Sequence, residues 1–147
     1  MNTAAKLRAL LQRPGAIKAV GAHDALSARL IERAGFDAIW ASGFAISASL
    51  KCIPDASFID SSEQLAVERN IAHAVSIPII ADCDTGYGNA LNVMRTVNDR
   101  ERAGVAAICI EDNVYPKRCS FYAGVRRELI PVEEHCGKIK AAKAAQL

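Results

Sequence analysis

The sequence lacks the features that mark membrane proteins, secreted proteins and nucleic-acid-binding proteins. No apolar run approaches the ~20 residues needed to span a bilayer, and the N-terminus has no signal-peptide core. The net charge is only +2, so we expect no nucleic-acid or membrane partner. Lys138, Lys140 and Lys143 have helical spacing and predict a solvated helix face near the C-terminus. The hydrophobic content of 51% over 147 residues predicts one domain with an ordinary core.

Cysteine pairs with metal-binding or redox spacing are also missing. The five cysteines are odd in number and include no Cys-x-x-Cys motif. Cys83 and Cys109 lie inside apolar runs, where a reduced thiol packs as a small hydrophobic side chain. This pattern argues against a disulfide framework and predicts a cytoplasmic protein.

Short apolar runs alternate with amphipathic stretches along the chain. The predicted strands are residues 17–20, 38–41, 78–84 and 105–112, and the predicted helices begin at Ala25, Ser61, Leu91 and Pro131. This alternation is typical of βαβ units that build a parallel sheet. Polar segments follow all four strands, as in a (β/α)₈ barrel, whereas an open doubly wound sheet usually binds ligands at one switch point. The distribution therefore favours the barrel.

The length of the chain limits how much of a barrel it can form. A complete barrel takes ~250 residues, and this sequence supplies about four βα units. A half-barrel would leave open strand edges and an exposed apolar inner face. We therefore expect residues 1–147 to be the N-terminal half of a (β/α)₈ TIM-type barrel, from a longer protein or a truncated gene product. As a whole protein, the chain would have to pair with another half.

Acidic residues end two neighbouring predicted strands. Asp82 and Asp84 follow the apolar residues of the third strand, and Glu111 and Asp112 close the fourth. Adjacent barrel strands bring such groups to one rim, where buried carboxylates need a cationic partner. Hard divalent cations such as Mg²⁺ take oxygen ligands. The spacing favours a metal site at Asp82, Asp84 and Glu111 over the alternative, in which the acids cap helices or are solvated.

The segment after the second strand is a candidate binding site. Gly43 permits close approach of the backbone, and consecutive amide groups of Ser42, Gly43 and Phe44 could hold a carboxylate or phosphoryl oxygen. An ordinary Ser-Gly turn is the alternative. Trp40 could line this pocket or could belong to the core.

A long segment over residues 113–128 follows the fourth strand and is typical of a lid. It contains Lys117, Arg118 and Cys119. Two cations beside a thiol predict a depressed pKa for Cys119, which would suit proton transfer or nucleophilic attack. An incidental loop cysteine is the alternative.

Four segments carry a family likeness: Trp40-Ala41-Ser42-Gly43, Asp82-Cys83-Asp84-Thr85-Gly86-Tyr87-Gly88-Asn89, Ile110-Glu111-Asp112 and Tyr115-Pro116-Lys117-Arg118-Cys119. Together they resemble the isocitrate lyase and phosphoenolpyruvate mutase superfamily. The likeness covers almost the whole chain from Leu7 onward, and the aspartate-glycine motif combined with the lysine loop is highly specific.

This resemblance implies a Mg²⁺-dependent (β/α)₈ barrel that acts on small 2-oxo or enol carboxylates through a metal-held enolate. By that implication, Asp82, Asp84 and Glu111 hold the ion directly or through water. The implied substrate-binding residues are Trp40, Ser42, Gly43, Phe44 and Asn89. The implied catalytic residues are Asp55, Lys117 and Cys119, with Lys117 in a gating loop.

The chain mixes the patterns of two subfamilies. Residues 39–48 and Asn89 look like phosphoenolpyruvate mutases and phosphonopyruvate hydrolases, which usually have Glu-Asp-Lys where this chain has Glu-Asp-Asn at 111–113. Residues 117–119 resemble instead the lyases of the 2-methylisocitrate type, in which the cysteine acts as a general acid/base. Those lyases continue with Gly-His, whereas Ser-Phe follows here at 120–121.

Three hypotheses follow from this mixture. The first is a phosphoenolpyruvate mutase-like enzyme that makes or breaks a P–C or C–C bond at C3 of a pyruvate enolate. The second is a C–C lyase in which Cys119 donates the proton. The third is an inactive half-barrel fragment. For the full-length protein we also expect a homo-oligomer.

Overall fold

The computed structural model describes residues 2–119, 121–122, 124 and 126–147. These residues form six helices and four strands. In chain order they are α1 (Thr3–Leu11), β1 (Ala19–Ala22), α2 (Ala25–Arg33), β2 (Ala38–Ala41), α3 (Gly43–Lys51), α4 (Ser61–Ala74), β3 (Ile79–Asp82), α5 (Ala90–Ala103), β4 (Ala107–Cys109) and α6 (Val132–Ala144).

The four strands form one parallel sheet in the order β1-β2-β3-β4. This arrangement confirms the prediction of four successive βα units. The boundaries of β2 are as predicted, whereas β1 begins two residues later, and β3 and β4 are shorter. The pairing of β3 with β4 ends at Asp82 and Cys109, because the chain then turns, with Asp84 in the left-handed region at φ 48°.

Side-chain caps fix where three of the predicted helices begin. The Asp24 carboxylate accepts the amide of Ser27 at 2.7 Å at the start of α2. The Asp60 carboxylate accepts two amides at the start of α4, and the Asn89 side chain accepts the amide of Leu91 at 2.9 Å at the start of α5. Each cap satisfies backbone donors that the first helical turn leaves free.

Two helices, α1 and α3, are absent from the sequence-based prediction. Helix α3 follows β2 directly, where Ser42-Gly43-Phe44 predicted a loop. Ser42 is its N-cap, and the Ser42 hydroxyl accepts the amide of Ala45 at 3.3 Å. The same Ser-Gly pair that suggests a turn therefore begins a helix.

The core lies between one face of the sheet and the helices. Ile39, Ile79 and Ala81 are buried on this face and pack with Ile46 and Ile71. The alternate residues Trp40 and Ile80, which pair across β2 and β3, are only half-buried on the opposite face. The opposite face corresponds to the predicted inner surface of a barrel, and Asp82 lies on it, two residues beyond Ile80.

Lys138 corrects the prediction of a solvated lysine face on α6. Its side chain is 3% exposed and its Nζ donates to the Thr85 carbonyl at 3.1 Å. Lys140 and Lys143 are exposed as expected. Helical spacing alone could not distinguish these lysines, because the partner of Lys138 is more than 50 residues away in sequence.

All five cysteines are free thiols. Among the described residues, no helix combines the length and the apolar character that a membrane span requires.

Candidate active site at the carboxyl ends of the strands

Four carboxylates surround one buried lysine at the rim of the sheet. The Lys117 Nζ lies 2.9 Å from Asp55, 3.0 Å from both Asp84 and Glu111, and 3.9 Å from Asp82. The Lys117 side chain is 4% exposed. We refer to Asp55, Asp82, Asp84 and Glu111 as the acidic cluster. The structure thus brings together all three predicted metal ligands and two of the three predicted catalytic residues.

The turn after β3 and the end of β4 place the acids of the cluster. The Glu111 amide donates to the Asp84 carbonyl at 2.7 Å, which joins the two strand ends. The predicted strand over residues 78–84 ends early, at Asp82, so Asp84 lies in the turn rather than on β3. The left-handed conformation of Asp84 instead returns its carboxylate to the side of Asp82.

Helix α3 contacts the acidic cluster through its first residue. The Gly43 amide donates to Asp82 Oδ2 at 3.3 Å, in a buried position. A Cβ atom at position 43 would lie 3.2 Å from the same oxygen, so only glycine allows this approach without displacing the carboxylate. The Ser42-Gly43 pair therefore begins a helix whose positive N-terminal end faces the acids.

Burial and crowding oppose the ionised forms of the acids. Burial raises the pKa of Asp82, and the nearby Asp84 and Glu111 charges add to the shift, while Lys117 counteracts it. The pKa of Asp84 is likewise raised, mainly by burial. Burial would lower the pKa of Lys117, but the surrounding carboxylates raise it well above its ordinary value. One ammonium group therefore faces an excess of negative charge.

The donor set of the acidic cluster fits a hard divalent cation. All of its ligand atoms are carboxylate oxygens, which Mg²⁺ prefers. Yet no group of three or more acidic, histidine or cysteine side chains within the described residues is arranged as a metal site. Lys117 Nζ lies where the carboxylates converge, at 2.9 to 3.0 Å from three of them. Mg²⁺ could bind Asp82, Asp84 and Glu111 once this ammonium group withdraws.

The structure gives the remaining predicted site residues different environments. Trp40 is half-buried on the face that carries Asp82. The Phe44 ring packs edge-to-face on Phe121, with centroids 5.4 Å apart, which connects α3 to the segment that carries Lys117. Asn89 is an exposed helix cap. Cys119 is a half-buried free thiol. The substrate roles of these residues stay predictions, as does the thiolate character of Cys119.

Two polar residues of the site, the half-buried Ser57 and the buried Asn113, were not predicted from the sequence. The Ser57 hydroxyl accepts the Lys117 amide at 3.0 Å and contacts Asp84 at 3.3 Å. The Asn113 amide group donates to Glu111 at 2.6 Å. Asn113 directly follows the Glu111-Asp112 pair, so its position in the sequence could have indicated that it belongs to the site. No such signal exists for Ser57, because its contacts are 27 and 60 residues away in sequence.

Comparison with known proteins identifies relatives of this half-barrel. The family model described as phosphoenolpyruvate phosphomutase matches residues 7–147. The 2,3-dimethylmalate lyase of Eubacterium barkeri is 50% identical over 142 residues, which are 97% of this chain and 48% of that protein.

Two crystal structures share the fold at high similarity. Phosphoenolpyruvate phosphomutase from Streptomyces platensis subsp. rosaceus has a TM-score of 0.94 and 55% identity, over 98% of this chain and 50% of that one. A phosphonopyruvate hydrolase complex with oxalate and Mg²⁺ has a TM-score of 0.90 and 46% identity, over 100% of this chain and 49% of that one.

The chain spans about half the length of the relatives it matches. Those relatives are TIM-barrel-type proteins, so the expected half-barrel fold is confirmed. Their names cover mutases, hydrolases and lyases that act on P–C or C–C bonds. The chain belongs to the phosphoenolpyruvate phosphomutase family of enzymes, within the phosphoenolpyruvate mutase/isocitrate lyase superfamily.

Proposed function

We propose that this chain supplies the metal-binding half of a Mg²⁺-dependent active site that makes or breaks a P–C or C–C bond at C3 of a pyruvate enolate. The acidic cluster is the observation that carries the proposal. It presents oxygen ligands in excess of the single positive charge beside them. A related phosphonopyruvate hydrolase, of which 49% matches the whole of this chain, was crystallised with Mg²⁺ and oxalate.

Asp82, Asp84 and Glu111 would hold Mg²⁺, directly or through water. The ion would act as a Lewis acid that stabilises negative charge on the enolate oxygen. Asn113 and the Gly43 amide hold two of these ligands in place, at 2.6 Å from Glu111 and 3.3 Å from Asp82. Such outer partners orient the ligands of a metal and tune its affinity.

The N-terminal end of α3 is suited to bind the carboxylate of a small 2-oxo or enol acid. Ser42, Gly43 and Phe44 begin this helix beside the acidic cluster, and helix N-termini attract anions. Trp40 lies on the same face of the sheet and would line the pocket. Asn89 follows the same turn as the ligands and would contact the distal end of the substrate.

Lys117 and Asp55 would control access to the metal position. Their ion pair at 2.9 Å anchors the segment after β4 over the acids. Withdrawal of Lys117 on metal binding would leave its ammonium group available to the substrate, with Asp55 as its partner. Closure of this segment would exclude water from the enolate.

A substrate panel tests the reaction class. With Mg²⁺ present, phosphonopyruvate, phosphoenolpyruvate, oxaloacetate and 2-methylisocitrate are each offered, and products are followed by ³¹P and ¹H NMR. We expect turnover of a phosphonate or enol phosphate that stops when EDTA is added. Turnover that is equal with and without EDTA would contradict the role of the ion.

A C–C lyase is the second candidate, because a lyase of 2,3-dimethylmalate is 50% identical to this chain. In that reaction Cys119 would donate a proton to the departing carbanion. Replacement of Cys119 by Ser should then nearly abolish lyase activity, while a mutase activity would survive. Full activity on a lyase substrate after Cys119→Ser would exclude the thiol role.

Because the chain spans about half of its relatives, activity is proposed for the protein that contains the complete barrel. The alternative is an inactive half-barrel. Cooperative unfolding of the 147-residue chain, with clear stabilisation by Mg²⁺, would argue against it. We place the protein in the cytoplasm, since all five thiols are free, and propose that its full-length form is a homo-oligomer.

A further inference from the structure

We propose that Lys138 and Arg100 are positioning residues, which hold the turn at residues 83–88 through contacts from α6 and α5 and so fix the acidic cluster. We call this segment the Asp84 turn. The inference rests on the proposed function, because it assigns the two cations a purpose in placing the metal ligands. Neither residue belongs to the acidic cluster itself.

The Asp84 turn has a backbone that needs support. Asp84 at φ 48° and Tyr87 at φ 58° are both in the left-handed backbone region, which residues other than glycine rarely adopt. The turn closes with a hydrogen bond from the Gly86 amide to the Cys83 carbonyl at 2.8 Å. It also accepts the Glu111 amide at the Asp84 carbonyl. A change in this turn would therefore move two metal ligands together.

Lys138 binds the middle of the turn. Its Nζ donates to the Thr85 carbonyl at 3.1 Å, and Glu134 is 3.9 Å away with a side chain that is 52% exposed. Burial of an ammonium group is costly, and an apolar side chain of similar volume would fill this place without that cost. We therefore infer that Lys138 is present to bind the carbonyl of the turn and not to pack α6.

Arg100 binds the far end of the turn. Its guanidinium donates to the Tyr87 hydroxyl at 3.2 Å and lies 5.0 Å from the centroid of the Tyr87 ring. It also donates to the Ser61 hydroxyl at 3.1 Å, and its Nε lies 3.1 Å from Glu68 Oε2. These contacts fix Arg100 to α4. Because Arg100 also binds Tyr87, it restrains the turn relative to α4.

The structure therefore supports the ligands from two sides. Asp84 and Glu111 contact Lys117 on the segment after β4, whereas Thr85 and Tyr87 contact Lys138 on α6 and Arg100 on α5. Outer partners of this kind commonly change metal affinity by 10–100-fold when they are removed, about the range we expect here.

The test compares the wild-type chain with Lys138→Met and Tyr87→Phe. Lys138→Met removes the donor to Thr85, and Tyr87→Phe removes only the hydroxyl that Arg100 binds, so the ring and the core are retained. Lys140→Met, at an exposed lysine on the same helix, is the matched control. Lys138→Arg, which restores a cationic donor, is the rescue variant.

Two readouts separate positioning from general stability. Hydrogen exchange reports the protection of the Gly86 and Glu111 amides without any metal. Calorimetric titration with Mg²⁺ gives the affinity. We expect faster exchange at these two amides and about tenfold weaker Mg²⁺ binding in both test variants. Partial recovery is expected in Lys138→Arg, and no change in Lys140→Met.

The possible results distinguish this inference from the proposed function. If both variants lower the melting temperature but leave the two amides and the Mg²⁺ affinity unchanged, the residues are structural only and the inference is overturned. If the wild-type chain does not bind Mg²⁺ while the two amides still exchange faster in the variants, the positioning role stands and the proposed metal function fails.

Discussion

Two buried cations of this half-barrel, Lys117 and Arg100, have opposite electrostatic surroundings. The Lys117 side chain is 4% exposed and faces four carboxylates. The Arg100 side chain is 1% exposed, and among the described residues its one ion pair is with Glu68. Lys117 lies on the irregular segment after β4, and Arg100 lies inside α5. Lys117 is therefore outnumbered by acids on a segment without regular structure, whereas Arg100 faces one acid from within a helix.

The difference separates a binding site from a structural contact. A buried cation that faces a single acid leaves no surplus of carboxylates for a further ion to bind. A group of acids with surplus negative charge is stabilised by any additional cation that can reach it. The same residue chemistry thus gives a contact that supports the Asp84 turn at Arg100 and a cation site at Lys117.

The largest effect is expected from removing a ligand of the acidic cluster. Asp84→Asn should weaken Mg²⁺ binding by more than about a hundredfold, beyond the range typical of outer-shell partners. Asp112→Asn is the matched control, because this exposed acid adjoins Glu111 without joining the cluster. Calorimetric titration measures both variants. Equal losses of affinity in the two would show that the binding reflects general negative charge rather than the cluster.

Glu68, the buried acid beside Arg100, predicts that the stability of the fold depends on pH. Burial raises the pKa of Glu68 from 4.5 to about 7, with Arg100 counteracting the shift. Between these values the folded state keeps a proton that the unfolded state has lost, so the free energy of unfolding falls as pH rises through 7. The shift corresponds to a fall of about 3 kcal/mol.

Glu68→Gln should make this fall smaller, since glutamine does not ionise. Urea unfolding at several pH values from about 4 to 8 measures it. Asp82 and Asp84 contribute a fall of the same sign, because burial also raises their pKa, and this part should persist. Glu133→Gln, at an exposed position, is the control. An unchanged slope in Glu68→Gln would show that Glu68 is ionised in the folded state.

The smallest effect concerns how the Lys117 segment is held in place. Phe121 contacts Phe44 but is 76% exposed, so Phe121→Ala should cost about 1 kcal/mol or less in unfolding free energy. Hydrogen exchange at the Lys117 amide, which donates to Ser57, should nevertheless become faster. Leu26→Ala, at a residue 68% exposed on α2, is the control. Unaltered exchange at Lys117 would mean that the aromatic contact does not hold the segment.

Local sequence patterns predicted the parts of the fold that depend on local physics. Residues 38–41 form β2 because their apolar run fits a buried strand. Asp24 begins α2 because its carboxylate caps the first turn. Helix α3 was missed, since Ser42-Gly43 is equally typical of a turn and of a helix start.

Long-range contacts account for the parts of the site that the sequence did not predict. Asp82, Asp84 and Glu111 were grouped correctly, because parallel strands end at one rim. The position of Lys117 among them depends on the path of an irregular segment, which no periodicity describes. The burial of Lys138 depends likewise on the Thr85 carbonyl, a partner on another element.

The most direct test of whether the acidic cluster is a cation site that Lys117 fills is a Mg²⁺ titration of the Lys117→Met variant. Wild type, Arg118→Met and Arg100→Met are titrated beside it. Without the ammonium group, the carboxylates should bind Mg²⁺ about tenfold more tightly or better, and Mg²⁺ should recover the stability lost in the metal-free variant. Arg118→Met, at an exposed neighbour, should resemble wild type, and Arg100→Met should lose stability that Mg²⁺ does not restore. Equal or weaker Mg²⁺ binding by Lys117→Met than by wild type would contradict the account.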